Sequence, residues 1–228
     1  MAAVDEFALL PAIEIETAPD ADAAVIFLHG LGDDGHGWSD MVPALAIPTA
    51  LRVRFVFPHA PEMPVTINGG YVMPAWYDLL DADFKRRADL DGVNRSRKRV
   101  ENLLARERER GIVSSRIVLG GFSQGGAIAL HAGLRHGHKL AGIVALSTYL
   151  IDAETLIEQS SANRRTPIFM AHGTQDEVVR FEWGDASRAK LAEEGWPVEW
   201  HSYRIPHSAV LEEIQAIGRF IARALTPA

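Results

Sequence analysis

The chain has 228 residues, 47% from the apolar AVILMFWYC set and 23% charged. That is an ordinary globular composition, apolar enough for a sizeable core and too apolar for disorder as the main state. A formal net charge of −7 argues against sequence-independent binding to nucleic acid or an anionic membrane, and the absence of cysteine excludes disulfides, thiolate metal sites and cysteine nucleophiles.

In chain order, the start Met1-Ala2-Ala3-Val4-Asp5-Glu6 has no basic segment leading into an apolar one, so no signal peptide is expected. Apolar runs such as Ala23–Leu28 are far shorter than the about 20 residues that cross a bilayer. A cytoplasmic protein without integral membrane contact is the expectation. Ile13–Thr17 alternates apolar and polar residues and predicts an edge strand. Val25–Leu28, Val53–Phe57, Arg116–Leu119, Gly142–Leu146, Pro167–Ala171 and Val198–Tyr203 read as further strands. Val25–Leu28 is apolar throughout, as in a strand buried on both faces. Helical patterns lie at Trp38–Ala46, Gly92–Arg110, Gly125–Arg135, Asp152–Gln159, Asp185–Glu194 and Ser208–Leu225, with Gly111 and Gly195 as stops. This alternation predicts an α/β fold of one domain over residues 1–228, with a mostly parallel sheet.

Two segments need separate treatment. Ala60–Asp78 contains Pro61, Pro64, Pro74 and Gly69-Gly70 among apolar and aromatic residues and fits neither period. It is too apolar for a solvated connector, and long ordered loops are often functional. It is expected to roof a substrate site, with Met73 and Trp76 lining the groove. The second segment carries Lys85, Arg86, Arg87, Arg95, Arg97, Lys98 and Arg99, interleaved with Asp81, Asp83, Asp89, Asp91 and Glu101. Val93, Val100, Leu103 and Leu104 share one helical face, which favours a solvated helix surface over a nucleic-acid patch.

Gly121-Phe122-Ser123-Gln124-Gly125 matches G-x-S-x-G. The pattern is common, but here a strand precedes it and a helix follows, the setting of a nucleophile elbow. Gly120, Gly121, Gly125 and Gly126 would permit the sharp turn. The competing explanation is a glycine-rich turn with an N-capping serine. A serine hydroxyl needs a base. Of nine histidines, His207 lies in the loop between the last strand and the last helix. The hydrolase order Ser, acid, His leaves His172, His201 and His207 at a sensible distance after Ser123, and only His207 lies in a loop with an acid-bearing loop before it. That acid is Asp176, with Glu177 and Asp185 as rivals. Such a carboxylate would hold the imidazole tautomer and stabilise its cation.

His29-Gly30-Leu31-Gly32-Asp33-Asp34-Gly35 follows a strand and formally fits G-x-G-x-x-G. A dinucleotide site is disfavoured: the next strand ends Phe57-Pro58-His59 without an acid for a ribose, and Asp33 and Asp34 would face a pyrophosphate. An oxyanion loop suits it better, with a backbone N–H complementing that of Gln124. A P-loop is excluded at Gly120–Gly126, because no Lys-Ser/Thr follows. No metal site is expected, since there is no H-E-x-x-H and no paired acid–histidine spacing.

These stretches, with Pro58-His59-Ala60-Pro61, Asn68-Gly69-Gly70-Tyr71, Met73-Pro74-Ala75-Trp76-Tyr77-Asp78, Leu146-Ser147, Tyr149-Leu150 and His207-Ser208, resemble the carboxylesterase and acyl-protein thioesterase branch of the α/β-hydrolases. The resemblance implies an α/β-hydrolase fold without a large cap domain. It implies Ser123 as nucleophile, His207 as base and Asp176 as its orienter. It further implies oxyanion donors from the Leu31 and Gln124 N–H groups, an acyl groove under Ala60–Asp78, and no cofactor. The expected activity is hydrolysis of a small ester, a lysophospholipid or an acylated protein thiol through an acyl-enzyme. Family members often dimerise, so a homodimer is also an expectation. Where the family usually has Met-Gly before the histidine, this chain has Ile205-Pro206, and proline removes an N–H and fixes φ. The alternatives are a non-catalytic binding module on the same fold and a nucleotide-binding oxidoreductase.

Overall fold

The computed structural model describes residues 8–81, 89–156 and 162–226. Lys85, Arg86 and Arg87, and residues 157–159 of the helix expected at Asp152–Gln159, lie outside them. Among the described residues the strands are β1 (Ala12–Glu16), β2 (Ala23–Leu28), β3 (Val53–Pro58), β4 (Glu62–Val65), β5 (Tyr71–Pro74), β6 (Ile117–Phe122), β7 (Gly142–Leu146), β8 (Ile168–Gly173) and β9 (Val198–Tyr203). The helices are α1 (His36–Ser39), α2 (Leu90–Glu109), α3 (Gln124–Arg135), α4 (Phe181–Glu193) and α5 (Leu211–Leu225).

The main sheet has seven strands in the order β1-β3-β2-β6-β7-β8-β9. Only the edge strand β1 runs antiparallel, against β3; the other neighbours pair in parallel. Alternation explains why the central strands read as unbroken apolar runs. In β2, Ala24, Ile26 and Leu28 join the core under α2 and α3. Ala23, Val25 and Phe27 join the opposite core under α5. With both faces covered, every residue of β2 must be apolar. α2 turns Val93, Val100, Leu103 and Leu104 onto the sheet, all fully buried.

Three local readings change. Trp38–Ala46 is two short pieces, α1 and a 3-10 turn over Val42–Leu45, because Pro43 has no N–H to continue a helix. The last helix starts at Leu211 rather than Ser208, with Val210 at its N-cap. There the Glu213 carboxylate accepts the Val210 N–H, the helix-side half of a capping box. Ala60–Asp78 contains the antiparallel hairpin β4–β5. This two-stranded sheet stands apart from the main one, so its prolines interrupt no central ladder. Gly69 and Gly70 turn it at φ +67° and +80°, which glycine adopts freely.

Because β2, β3, β6, β7, β8 and β9 run parallel, their carboxyl ends share one edge of the sheet. There the chain leaves β2 at His29, β3 at His59, β6 at Ser123, β8 toward Asp176 and β9 toward His207. Open parallel sheets bind ligands at that edge.

Candidate active site

Ser123 forms the turn between β6 and α3, with φ 54° and ψ −122°, a conformation that costs an L-residue about 1–3 kcal/mol. Its neighbours hold it there. The Ser123 N–H extends the ladder to Leu146 O at 2.8 Å, and its carbonyl accepts from Ala127 N at 3.0 Å and from Thr148 Oγ1 at 2.7 Å. The strand and helix meet so closely that a Cβ on Gly121 would lie 2.5 Å from the Gly125 carbonyl carbon. The glycines at this elbow are therefore a steric requirement.

His207 Nε2 lies 2.9 Å from Ser123 Oγ, and its Nδ1 lies 2.7 Å from Asp176 Oδ2. The carboxylate can only accept, so Nδ1 carries the proton, and the Nε2 lone pair receives the serine hydroxyl. Phe122 packs on the imidazole with ring centroids 4.6 Å apart. Asp176 Oδ1 accepts the N–H groups of Val178 and Val179, each at 2.9 Å. His172, fully buried, donates Nε2–H to Val179 O at 2.8 Å and stands 3.4 Å from Asp176 Oδ2. Burial pushes the Asp176 carboxyl up, but the hydrogen bonds from His172, His207 and Val179 outweigh it and hold it well below the usual carboxylate range. The rivals are elsewhere: Asp185 pairs with Arg188 at 2.7 Å, and Glu177 is exposed. His201 pairs with Glu199 at 2.9 Å.

Ile205-Pro206 does not disturb this arrangement. The Ile205 N–H donates to Tyr203 O at 2.9 Å, and its carbonyl accepts from Gln175 N at 3.1 Å. Gly173 lets this backbone approach, since a Cβ there would lie 2.6 Å from Pro206 O.

The loop after β2 is fixed through His29. Its Nδ1–H donates to Gly30 O at 2.7 Å, and its Nε2 accepts Ala60 N–H at 3.0 Å. Burial lowers its pKa and keeps it neutral. Gly30 sits against the elbow: a Cβ there would lie 3.5 Å from Ser123 Cβ. The Leu31 and Gln124 N–H groups meet no protein acceptor among the described residues. Both residues line a cavity of about 170 Å³ beside Ser123, with Ile67, Asn68, Leu79, Tyr149, Val178 and Val179.

Met73 and Trp76 do not line that cavity, contrary to the sequence expectation. Trp76 is 1% exposed, and its Nε1–H donates to His29 O at 2.8 Å. The Met73 sulfur lies against Gly32 and accepts from Asn68 Nδ2 at 3.4 Å. Two features have no signal in the motifs. The Gln124 side chain accepts Trp76 N–H and donates to Tyr77 O, both at 2.8 Å. The Tyr77 and Tyr149 hydroxyls meet at 2.6 Å, and burial pushes Tyr149 up to about 12. No helix among the described residues is long and apolar enough to cross a membrane.

The phospholipase/carboxylesterase family model matches residues 11–225. An acyl-protein thioesterase 1 of Neurospora crassa is 43% identical over 95% of this chain and 91% of its own. That of Yarrowia lipolytica is 41% identical over 91% and 94%. Among solved structures, SOBER1 of Arabidopsis thaliana superposes with TM-score 0.84 at 31% identity, covering 90% of this chain and 99% of its own. Acyl-protein thioesterase 2 of Zea mays gives TM-score 0.84 at 29% identity, over 95% and 99%.

Proposed function

The chain belongs to the phospholipase/carboxylesterase family, and we propose that it is a serine hydrolase cleaving acyl thioester or ester bonds through Ser123, His207 and Asp176. The observation that carries this reading is the hydrogen-bonded line Ser123–His207–Asp176 beside an apolar cavity.

Ser123 Oγ attacks the acyl carbonyl carbon while His207 Nε2 takes the hydroxyl proton. The carbonyl π electrons move to oxygen, where the Leu31 and Gln124 N–H groups receive the negative charge. Collapse of the tetrahedral species expels the thiolate or alkoxide, which takes the proton from His207. Water then repeats the sequence on the acyl-serine and releases the acid. Asp176 stays ionised throughout, holding Nδ1–H toward itself and stabilising the imidazolium. The oxyanion donors need no reorganisation as charge develops, because His29 and Gln124 already fix the backbone on both sides. Ile67, Leu79, Val178 and Val179 would cover the first carbons of the acyl chain. Substrates are acylated thiols or small esters, consistent with the thioesterases the chain resembles.

A fluorophosphonate should label Ser123 stoichiometrically, with the adduct located by peptide mass. Ser123→Ala should abolish labelling and lower kcat by about 10⁴–10⁶, because the members of such a triad act as a unit. Labelling at another serine, or retention of a tenth of the activity in the folded alanine variant, would reject the assignment. The same labelling separates an enzyme from a binding module that has kept the fold.

A further inference from the structure

Away from Ser123, the fold gathers a second group of ligand-type side chains. Asp34, His36 and His59 each offer one ligand atom, and the three atoms lie within 4.8 Å of one another. The backbone imposes this. A Cβ on Gly35 would collide with the Phe57 carbonyl at the end of β3 and lie 3.3 Å from His59 Cε1. The chain can therefore run directly over the end of β3, which sets His36 beside His59 with ring centroids 5.5 Å apart. Asp34 Oδ1 accepts the His36 N–H at 2.7 Å and faces His36 Nδ1 at 3.1 Å. That separation approaches the edge, about 3.3 Å, of a tetrahedron with bonds of about 2.0–2.1 Å.

We propose that Asp34, His36 and His59 bind one divalent transition metal of the zinc class, on the outer side of the Gly30–Gly35 loop. Two imidazoles and one carboxylate are borderline ligands that suit zinc, with a fourth position left for water. Calcium and magnesium would require a larger shell of oxygens. The Asp34 and His36 side chains are 50% and 69% exposed, which leaves them free to close on an ion. The expectation of no metal rested on spacing along the chain. It could not see a ligand set completed by His59, just past the end of β3.

Loading the site would be felt in the loop that carries Leu31. His59 Nδ1 accepts the Gly35 N–H at 3.2 Å. The metal either takes that lone pair, or takes Nε2 once the proton has moved to Nδ1. Both routes remove the acceptor of Gly35 N–H. The next residue, Ala60, holds His29 Nε2, and His29 holds Gly30 O.

The test is calorimetric titration of chelator-treated protein with Zn²⁺, supported by the visible absorption of tetrahedral Co²⁺. Binding at 1:1 is expected. Losing an outer-sphere partner commonly costs about 10–100-fold in metal affinity, so His36→Ala and Asp34→Asn should each weaken binding at least tenfold. A rise in Tm with Zn²⁺ should vanish in both. His36→Ala should retain wild-type hydrolysis in chelator, and His201→Ala should bind as wild type does. If His59→Ala fails to fold, the two exposed positions decide the matter. Equal affinity in wild type, His36→Ala and Asp34→Asn would place the ion elsewhere, for instance on His207, and overturn the proposal. So would no binding up to about 1 mM Zn²⁺.

Discussion

Asp176 combines burial with full ionisation because every face of its carboxylate is supplied. Val178 and Val179 donate to Oδ1, His207 donates to Oδ2, and His172 stands behind it. An amide at this position would present an N–H₂ or a weaker acceptor to His207 Nδ1 and favour the tautomer with hydrogen on Nε2, which cannot take a proton from Ser123. Asp176→Asn should accordingly lower kcat by about 10⁴ with little change in the fold. Glu177→Gln and Asp185→Asn should cost far less, since neither side chain reaches His207. Steady-state kinetics on one short ester measures all three. A greater loss at either rival would transfer the role to it.

At the scale of elements, strand–helix alternation made most of the sheet legible, and it located Ser123 at the end of β6. Continuous runs such as Ala23–Leu28 have one reading when helices flank them. What stayed illegible was set by contacts distant in sequence. The β4–β5 hairpin lacks a clean period because its strands are four residues each and contain proline. The Trp76 environment also had no sequence signal: an apolar loop residue can line a groove or anchor the loop, and only the His29 carbonyl and the Gln124 amide decide between them. The consequence is testable. Trp76→Phe keeps most of the bulk but leaves the buried His29 carbonyl without its donor, which costs about 1–3 kcal/mol. The damage falls on the loop proposed to hold the oxyanion, so kcat/KM should drop by a similar factor for acetyl and longer acyl groups. Ile67→Ala trims the cavity wall instead. Each buried methylene contributes up to about 0.8 kcal/mol, so it should flatten the rise of kcat/KM with chain length while sparing acetyl esters. Plots of kcat/KM against acyl length distinguish the outcomes. Parallel curves for Ile67→Ala, or a flattened one for Trp76→Phe, would reverse the two assignments.

For the whole molecule, two buried carboxyls pull stability in opposite directions with pH. Asp176 has a folded pKa below its ordinary value, so its contribution is present above about pH 4 and fades as acid protonates it. Glu213 is the reverse. Burial pushes it up to about 7 from 4.5, against the single favourable hydrogen bond from Val210. Tyr203 shares its surroundings and is pushed up to about 12, first by its own burial and then by the charges of Glu213 and Glu212. Between about pH 4.5 and 7 the folded protein keeps a proton on Glu213 that the unfolded chain has released. Folding thus takes up a proton over that interval, and stability must fall as pH rises through it. At about 1.36 kcal/mol per unit, the displacement from 4.5 to about 7 sets an upper limit of about 3 kcal/mol. Glutamine at this position stays neutral and can still accept the Val210 N–H, as the capping box allows. Glu213→Gln should match the wild type near pH 5 and exceed it by about 2–3 kcal/mol at pH 8, where the wild type must bury an unpaired charge. Urea unfolding of both proteins at the two pH values measures the difference. Equal losses of stability from pH 5 to 8 would mean that Glu213 ionises without cost and that its environment is wetter than its full burial indicates.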